Sequence, residues 1–457
     1  MGIKSSSDSI TTFMTQKVEK MKHWLNHYFQ IADHHSTISR ELYAGLTTFV
    51  TVAYIIIVNP AILEVAGIPK GPSMVATILS AMVGTLIMGF YAKRPFVIAP
   101  YMGENAFIAY TVVKVLGYSW QTALGAVFIG GVLFVLLTVL KIRGWFVTAI
   151  PTSLKFAFAV GIGLFITLIG LVDTGLVTVG IPQAPVTMGA VTAPTTLLGI
   201  GGFLLIIILM MLKIPGSILI GMATVTLAGF LTGTTSLPPH FFSLPPSLGP
   251  IFLQLDIRGA LTWGFFSVIL TVFIMDFVDT IGTVIGLSAR AGMLDENGNL
   301  PEIEKPMLAD AVATVAGALL GTTTTGTFIE SAAGIEAGGR TGLTAVTAGL
   351  LFLAGLFCAP LITAIPSYAY GPALVVVGSQ MISAITHIDF NDHTEWIPSF
   401  VTIVLMVFTY NLGIGITAGF VVYPLLKLMT GRVREVHPGM WGLFSLSCLF
   451  YGFFPYH

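Results

Sequence analysis

Residues 322–334 read TTTTGTFIESAAG: four threonines, a glycine, a fifth threonine, two apolar residues and then a glutamate, Glu330. The chain on either side is apolar enough to sit in a lipid bilayer. A run of β-branched residues favours extended backbone over helix. Extended backbone at membrane depth is tolerated only where it is buried in protein or lines a cavity. A carboxylate placed just after such a break reads as half of a binding site for a small polar molecule.

The composition supports the membrane setting. Of 457 residues 9% are charged and 55% hydrophobic, and mean hydropathy is +0.91, too little charge to cover a soluble surface of this size. A net charge of −1 supplies no basic face for phosphates, which excludes a nucleic-acid partner. Cys358 and Cys448 form neither a disulfide framework nor a metal spacing, and the nine histidines fall in tails or loops. Nothing in the sequence asks for a metal or a cofactor. The first 40 residues are polar, so no cleaved signal peptide is expected. Within them Val18, Met21, Leu25 and Phe29 fall at helical spacing beside Lys17, Lys20 and Lys22, the pattern of a surface amphipathic helix or an ordered cap.

Fourteen membrane segments are expected, at about 43–65, 72–92, 96–115, 119–141, 146–172, 195–212, 215–232, 259–287, 307–321, 324–338, 341–358, 361–386, 396–411 and 412–430. With the N-terminus in the cytoplasm, 16 of the 20 Lys and Arg fall inside; Lys70, Lys114, Lys155 and Arg258 lie elsewhere. The loops 173–194 and 233–258 are nearly free of basic residues, so both termini are expected in the cytoplasm. The apolar run GLFSLSCLFYGFF after residue 435 reads as too short and glycine-broken for a further span.

Two parts of the chain resemble one another. Aligning TVAYIIIVNP with TVFIMDFVDT sets Asn59 opposite Asp279, and the broken segments APYMGENAF and TTTTGTFIESAAG set Glu104 opposite Glu330. Matched breaks half a chain apart suggest two seven-segment repeats, inverted because seven is odd. Pro100 and Gly103 interrupt the earlier segment. Each short strand would lead into a half-helix whose free N–H groups point at one shared spot.

Five acids lie inside apolar segments: Glu104, Asp276, Asp279, Asp310 and Glu330. A lone buried carboxylate costs several kcal/mol unless paired, hydrogen-bonded or protonated, and no Lys or Arg stands near these five in the segments. An acid that gains and loses a proton can carry one across, so Asp276, Asp279, Asp310 and Glu330 are candidates for proton coupling. The plainer alternatives are that Asp276 and Asp279, three apart, merely hold one another, that Asp310 is an N-cap, and that Glu336 pairs with Arg340 at i+4.

The runs AGLTTFVTVAYIIIVNPAIL (44–63), APYMGENAF, FVDTIGT (277–283) and TGTFIESAAGIEAGGRTGL (325–343) closely resemble the AzgA-like adenine/guanine/hypoxanthine branch of the nucleobase–ascorbate transporter (nucleobase–cation symporter-2) family. The resemblance runs from about residue 40 to 430. It implies an all-α polytopic fold of fourteen segments in two inverted repeats, with short strands in segments 3 and 10. After a cytoplasmic tail (1–40), a core domain would comprise 41–141 and 259–358, and a gate domain 142–235 and 359–431, followed by a C-terminal tail (432–457). It also implies proton-coupled, elevator-like import of purine bases across the plasma (inner) membrane. In this reading Asp279 takes the place of the acid of segment 8, and Glu330 that of the substrate-binding acid of segment 10.

A purine edge suits a carboxylate such as Glu330, which can accept two parallel N–H bonds. Backbone N–H groups near Ser331 would donate to a carbonyl oxygen, and Phe107, Phe273, Phe328 and Tyr54 are candidates to stack on the ring. Asn59 and Asn105 would read polar edges or tie the breaks together. Where the family pattern is closer to MGLNAF this chain has MGENAF, so Glu104 adds a carboxylate near the expected site. A uracil, xanthine or anion carrier on the same architecture, a channel and an intramembrane enzyme are the rivals. The enzyme finds no HExxH, GxGD or Ser–His pattern here. Whether two copies pair as a homodimer is left open by the sequence.

Overall fold

The structure, a computed structural model, describes residues 4–141, 148–181, 183–262, 265–296 and 300–453. Side chains are described from Gln16 on, apart from Val18 and Phe453. The expected start of the gate part at 142, and Arg143 with it, lies outside the described residues.

The architecture is helical. Among the described residues nine helices are long and apolar enough to cross a membrane, and Ser217–Thr232 and His393–Phe408 are shorter apolar ones. Length and composition therefore account for nine full spans, where the sequence reading expected fourteen segments. The remaining expected segments are the Glu304–Leu320 helix and the two broken ones. The tail expected to lack a span forms a helix, Pro438–Phe453, packed on Leu412–Met429. Residues Lys4–Phe29 form one helix whose end buries Phe29 against Leu343 and Val346.

Both breaks have local causes. Gly321 adopts a left-handed φ of 97° and ends the Glu304–Leu320 helix, after which Thr322–Thr324 run extended. Strand β4, Thr325–Thr327, follows, and then the six-residue helix Ser331–Glu336. In the earlier break β1, Ile98–Pro100, passes through an extended Tyr101 into the helix Met102–Ala106. That helix widens into a π-helical stretch, Phe107–Val115. A separate exposed hairpin, β2 (Val177–Ile181) with β3 (Ala184–Met188), caps one face.

Two packing groups surround the breaks. Helices Ile38–Val52, Ile55–Val65, Lys70–Ile87, Trp120–Val139, Glu304–Leu320 and Gly342–Leu351 pack among themselves and hold β1 and β4, with Phe266–Arg290 alongside. Helix Thr152–Asp173 packs instead with Ser367–Met381 and His393–Phe408, joined by Pro194–Met211, Ser217–Thr232 and Leu412–Met429. The groups meet where Gly103 approaches Ile162: a Cβ there would lie 2.4 Å from the Ile162 side chain.

Candidate functional site

The two breaks cross as antiparallel strands, the relation that inverted copies require. Ile98 pairs with Thr327, Ala99 with Gly326 and Pro100 with Thr325. Tyr101 N donates to Thr324 O (3.0 Å) and Phe328 N to Val97 O (2.9 Å), so the ladder extends a residue beyond each strand. Gly326 is required by contact rather than by turn: a Cβ there would lie 2.1 Å from the Tyr101 ring. The Tyr101 and Phe328 rings lie parallel, 6.1 Å apart and 10° from coplanar, and the Tyr101 hydroxyl donates to Thr327 O at 3.3 Å.

Around this crossing stand the five acids. The Tyr54 hydroxyl, fully buried, donates to Glu330 Oε1 at 2.5 Å, while Glu330 itself remains half-buried. Asp276 Oδ2 accepts from Thr314 (3.1 Å), whose hydroxyl also meets the backbone of Thr325. Asp310 Oδ2 accepts from Thr327 N (3.3 Å). Asp279 is half-buried, and its carboxyl lies against that of Glu104. Both oxygens of Glu104, and one each of Asp276 and Asp310, are buried with no hydrogen-bond partner among the described residues. A buried polar atom without a partner costs about 1–3 kcal/mol, a cost that the adjoining carboxyls of Glu104 and Asp279 can offset by sharing a proton.

Several expectations are corrected here. Asp310 is not an N-cap: it is the seventh residue of Glu304–Leu320, facing the strands. Glu336 pairs with Arg290 (3.1 Å), because Arg340 turns back onto the carbonyls of Ile335 and Gly339. The N–H groups of Ser331, Ala332 and Ala333 are taken by the carbonyls of Phe328, Ile329 and Glu330, a tight turn that leaves none of the three for a ligand. Ser331 Oγ accepts from Val97 N (3.0 Å) and so splices the two breaks.

For the asparagines the structure chooses the tie. Asn105 donates to Asn59 Oδ1, and Asn59 donates to Thr77 (2.7 Å) and Thr322 (3.0 Å). Phe107 is buried in the core, and Phe273 stacks on Phe277 at 5.7 Å. Sequence reasoning missed Tyr101 and Thr314. A tyrosine directly after Pro100 in the break was the available signal for the first; nothing local marked the second.

The profile of the Permease family matches residues 39–421. The chain belongs to this permease family. A relative from Methanocaldococcus jannaschii is 46% identical over 423 residues, covering 93% of this permease and 96% of that chain. The adenine permease AdeP of Escherichia coli is 39% identical, covering 91% and 93%. The guanine/hypoxanthine permease PbuG of Bacillus subtilis is 38% identical, covering 93% and 99%. The transmembrane domain of the cyanobacterial bicarbonate transporter BicA shares the fold, with a TM-score of 0.62 at 15% identity over 83% of this permease and 97% of that chain. The AzgA-like resemblance and the reading as a transporter rather than an enzyme therefore hold.

Proposed function

We propose that this permease imports purine nucleobases by proton symport, with the base held at the strand crossing. The observation that carries the reading is the Tyr54–Glu330 hydrogen bond beside the Tyr101–Phe328 ring pair. Tyr54 occupies one lone pair of Glu330 Oε1 and leaves Oε2 open, so the carboxylate can accept two parallel N–H bonds from a purine edge. The base stacks against the aromatic pair. Asp279, half-buried and next to Glu104, is the coupling acid, with Asp276 and Asp310 behind it.

The group of helices around the strands (41–141 and 259–358) acts as a core. The second group (142–235 and 359–431) acts as a gate past which the core moves, elevator fashion. At Gly103 the absence of a side chain lets the core approach Ile162 of the gate closely. Fourteen segments, both termini in the cytoplasm and a plasma-membrane setting complete the reading. Its test is uptake of labelled adenine, guanine, hypoxanthine, xanthine and uracil into proteoliposomes with and without an inward proton gradient. Gradient-driven accumulation of one or two purines is expected; preference for uracil, or flux indifferent to the gradient, would overturn the corresponding half of the proposal.

A further inference from the structure

A second aromatic cluster lies where the two helix groups meet, near the end of helix Thr152–Asp173 that leads into the β2–β3 hairpin. Tyr110, on the π-helical stretch that continues the first break, meets Tyr410 with ring centroids 6.2 Å apart and planes at 67°. Thr111 Oγ1 donates to Tyr410 O (2.6 Å), and Phe165 backs the Tyr410 ring edge-on at 5.2 Å. Tyr410 is held at a φ of 54°, a left-handed conformation that a bulky residue adopts only when its surroundings enforce it.

Asp173 and Tyr370 close the cluster. Helices Thr152–Asp173 and Ser367–Met381 cross at Gly170 and Gly371, so tightly that a Cβ on Gly170 would lie 2.6 Å from Gly371 O. The crossing sets Asp173 and Tyr370, which flank these glycines, into one neighbourhood. The Asp173 carboxylate acts electrostatically on Tyr110, Tyr370 and Tyr410 alike. At the rim Glu64, which also acts on Tyr370, is paired with Lys70 at 3.8 Å. All four central residues are half-buried. Among the described residues neither the Asp173 carboxylate nor the hydroxyls of Tyr110, Tyr370 and Tyr410 has a hydrogen-bond or ion-pair partner.

All four side chains are partly open, so their polar tips are free to meet a ligand. A carboxyl and several ring faces thus gather in one neighbourhood without hydrogen-bonding one another. We infer that Asp173, Tyr110, Tyr370 and Tyr410 form a second, outer binding subsite for a planar heteroaromatic base bearing N–H donors. Asp173 accepts the N–H edge, the tyrosine rings stack on the plane and their hydroxyls serve its ring nitrogens or carbonyl. Tyr110 lies six residues beyond Glu104 on one continuous helical run, roughly 9 Å along its axis. That is about the length of one base, so an occupant here would stand next in line for the inner site. This inference rests on the purine reading above, and under the orientation proposed there the subsite faces outward.

The test is photolabelling of the full-length permease in nanodiscs with tritiated 8-azidoadenine and 8-azidoguanine, followed by peptide mapping. Label that unlabelled purine competes away is expected on two sets of peptides: 98–106 with 325–336, and 107–115 with 393–411. Asp173→Asn should cut labelling of the second set by about ten-fold, the worth of one charge-assisted hydrogen bond, while the first set keeps its label and shows that the variant is folded. Tyr110→Leu should do the same through loss of the ring face. Label confined to the first set, or a second set indifferent to Asp173→Asn, overturns the outer subsite and leaves the transport reading standing. No competable label anywhere overturns both.

Discussion

Tyr54 and Glu330, 276 positions apart, are joined by a 2.5 Å hydrogen bond from the buried phenol to a carboxylate oxygen. The phenol comes from the N-cap of Ile55–Val65, and the acid from the residue before the half-helix Ser331–Glu336. The bond therefore fixes the orientation of the one site acid whose neighbour, Ile329, is exposed. A carboxylate aimed by a rigid phenol presents its open lone pairs in a set direction, which is what recognition of a planar donor edge requires.

Glu330→Gln should cost most of the purine affinity, because an amide presents one acceptor where the carboxylate presents two and adds donors facing the base. A loss of more than about ten-fold is expected. Tyr54→Phe keeps the acceptors and loses only their aim, so a loss of about three- to ten-fold is expected. Equilibrium binding in nanodiscs reads both. A Tyr54→Phe loss as large as that of Glu330→Gln would mean that the phenol itself touches the base.

Asp279→Asn separates binding from coupling. The amide is isosteric and stays beside Glu104, but it cannot take up and release a proton. Purine counterflow should survive in this variant while accumulation driven by a pH gradient disappears. Accumulation at the wild-type level would remove Asp279 from the coupling path.

How far the sequence announced this arrangement depends on the range of the interaction involved. The TTTTG run and the Pro100–Gly103 pair mark both breaks, because backbone preference is local and visible in one dimension. The strand register, Ile98 against Thr327, depends on which residues meet across 229 positions, and no local signal carries it. The same holds for Thr314, which reaches Asp276 38 residues away. Asp310 looked like a helix start because it stands near the head of the expected segment 307–321, behind the polar Glu304–Lys305–Pro306, yet the helix begins at Glu304. The half-helix of the second break was expected to offer free N–H groups. The tight turn through Phe328–Glu330 consumed them, a choice between two hydrogen-bonding patterns that residue type does not decide.

A charge cluster at the ends of the second helix group should govern stability rather than transport. Lys427 is fully buried and pairs with Glu395 (2.7 Å), Glu435 (2.9 Å) and Asp392 (3.8 Å), while Arg432 reaches Asp392 (2.6 Å) and Glu435 (2.7 Å). Lys427→Met removes the cation shared by three partly exposed acids, two of which Arg432 still pairs, so it should lower the melting temperature by a few degrees. The pH dependence has a definite sign. Hydrogen bonds from Arg432 hold the Glu435 carboxyl down to about 2, and the Thr394 hydroxyl foremost holds Asp392 below the usual carboxylate range. Both lie lower than in an unfolded chain. Their stabilisation is therefore present at neutral pH and is lost as pH falls from about 4 towards 2. The gap in melting temperature between wild type and Lys427→Met should narrow across that window. A gap that stays constant down to pH 3 would show that the cluster contributes packing and not charge.

Glu104 offers the sharpest measure of what this permease does differently from the MGLNAF pattern. It is 1% exposed, its oxygens meet no N–H or hydroxyl donor among the described residues, and it lies against Asp279, with Asp276 and then Asp310 beyond. Two facing carboxyls in a low-dielectric setting repel by several kcal/mol when both are charged, and among the described residues no cation pairs with either. A proton shared within the pair relieves it, and a leucine at this position would have nothing to share. Glu104→Gln should therefore keep purine binding near the wild-type level and reduce the charge moved with each purine. The purine gradient that just balances an imposed membrane potential across proteoliposomes reads that charge directly, since each unit adds about 2.3 kcal/mol per 100 mV. A smaller balancing gradient in the variant assigns Glu104 a coupled proton of its own; an unchanged gradient reduces it to a packing residue that happens to be an acid.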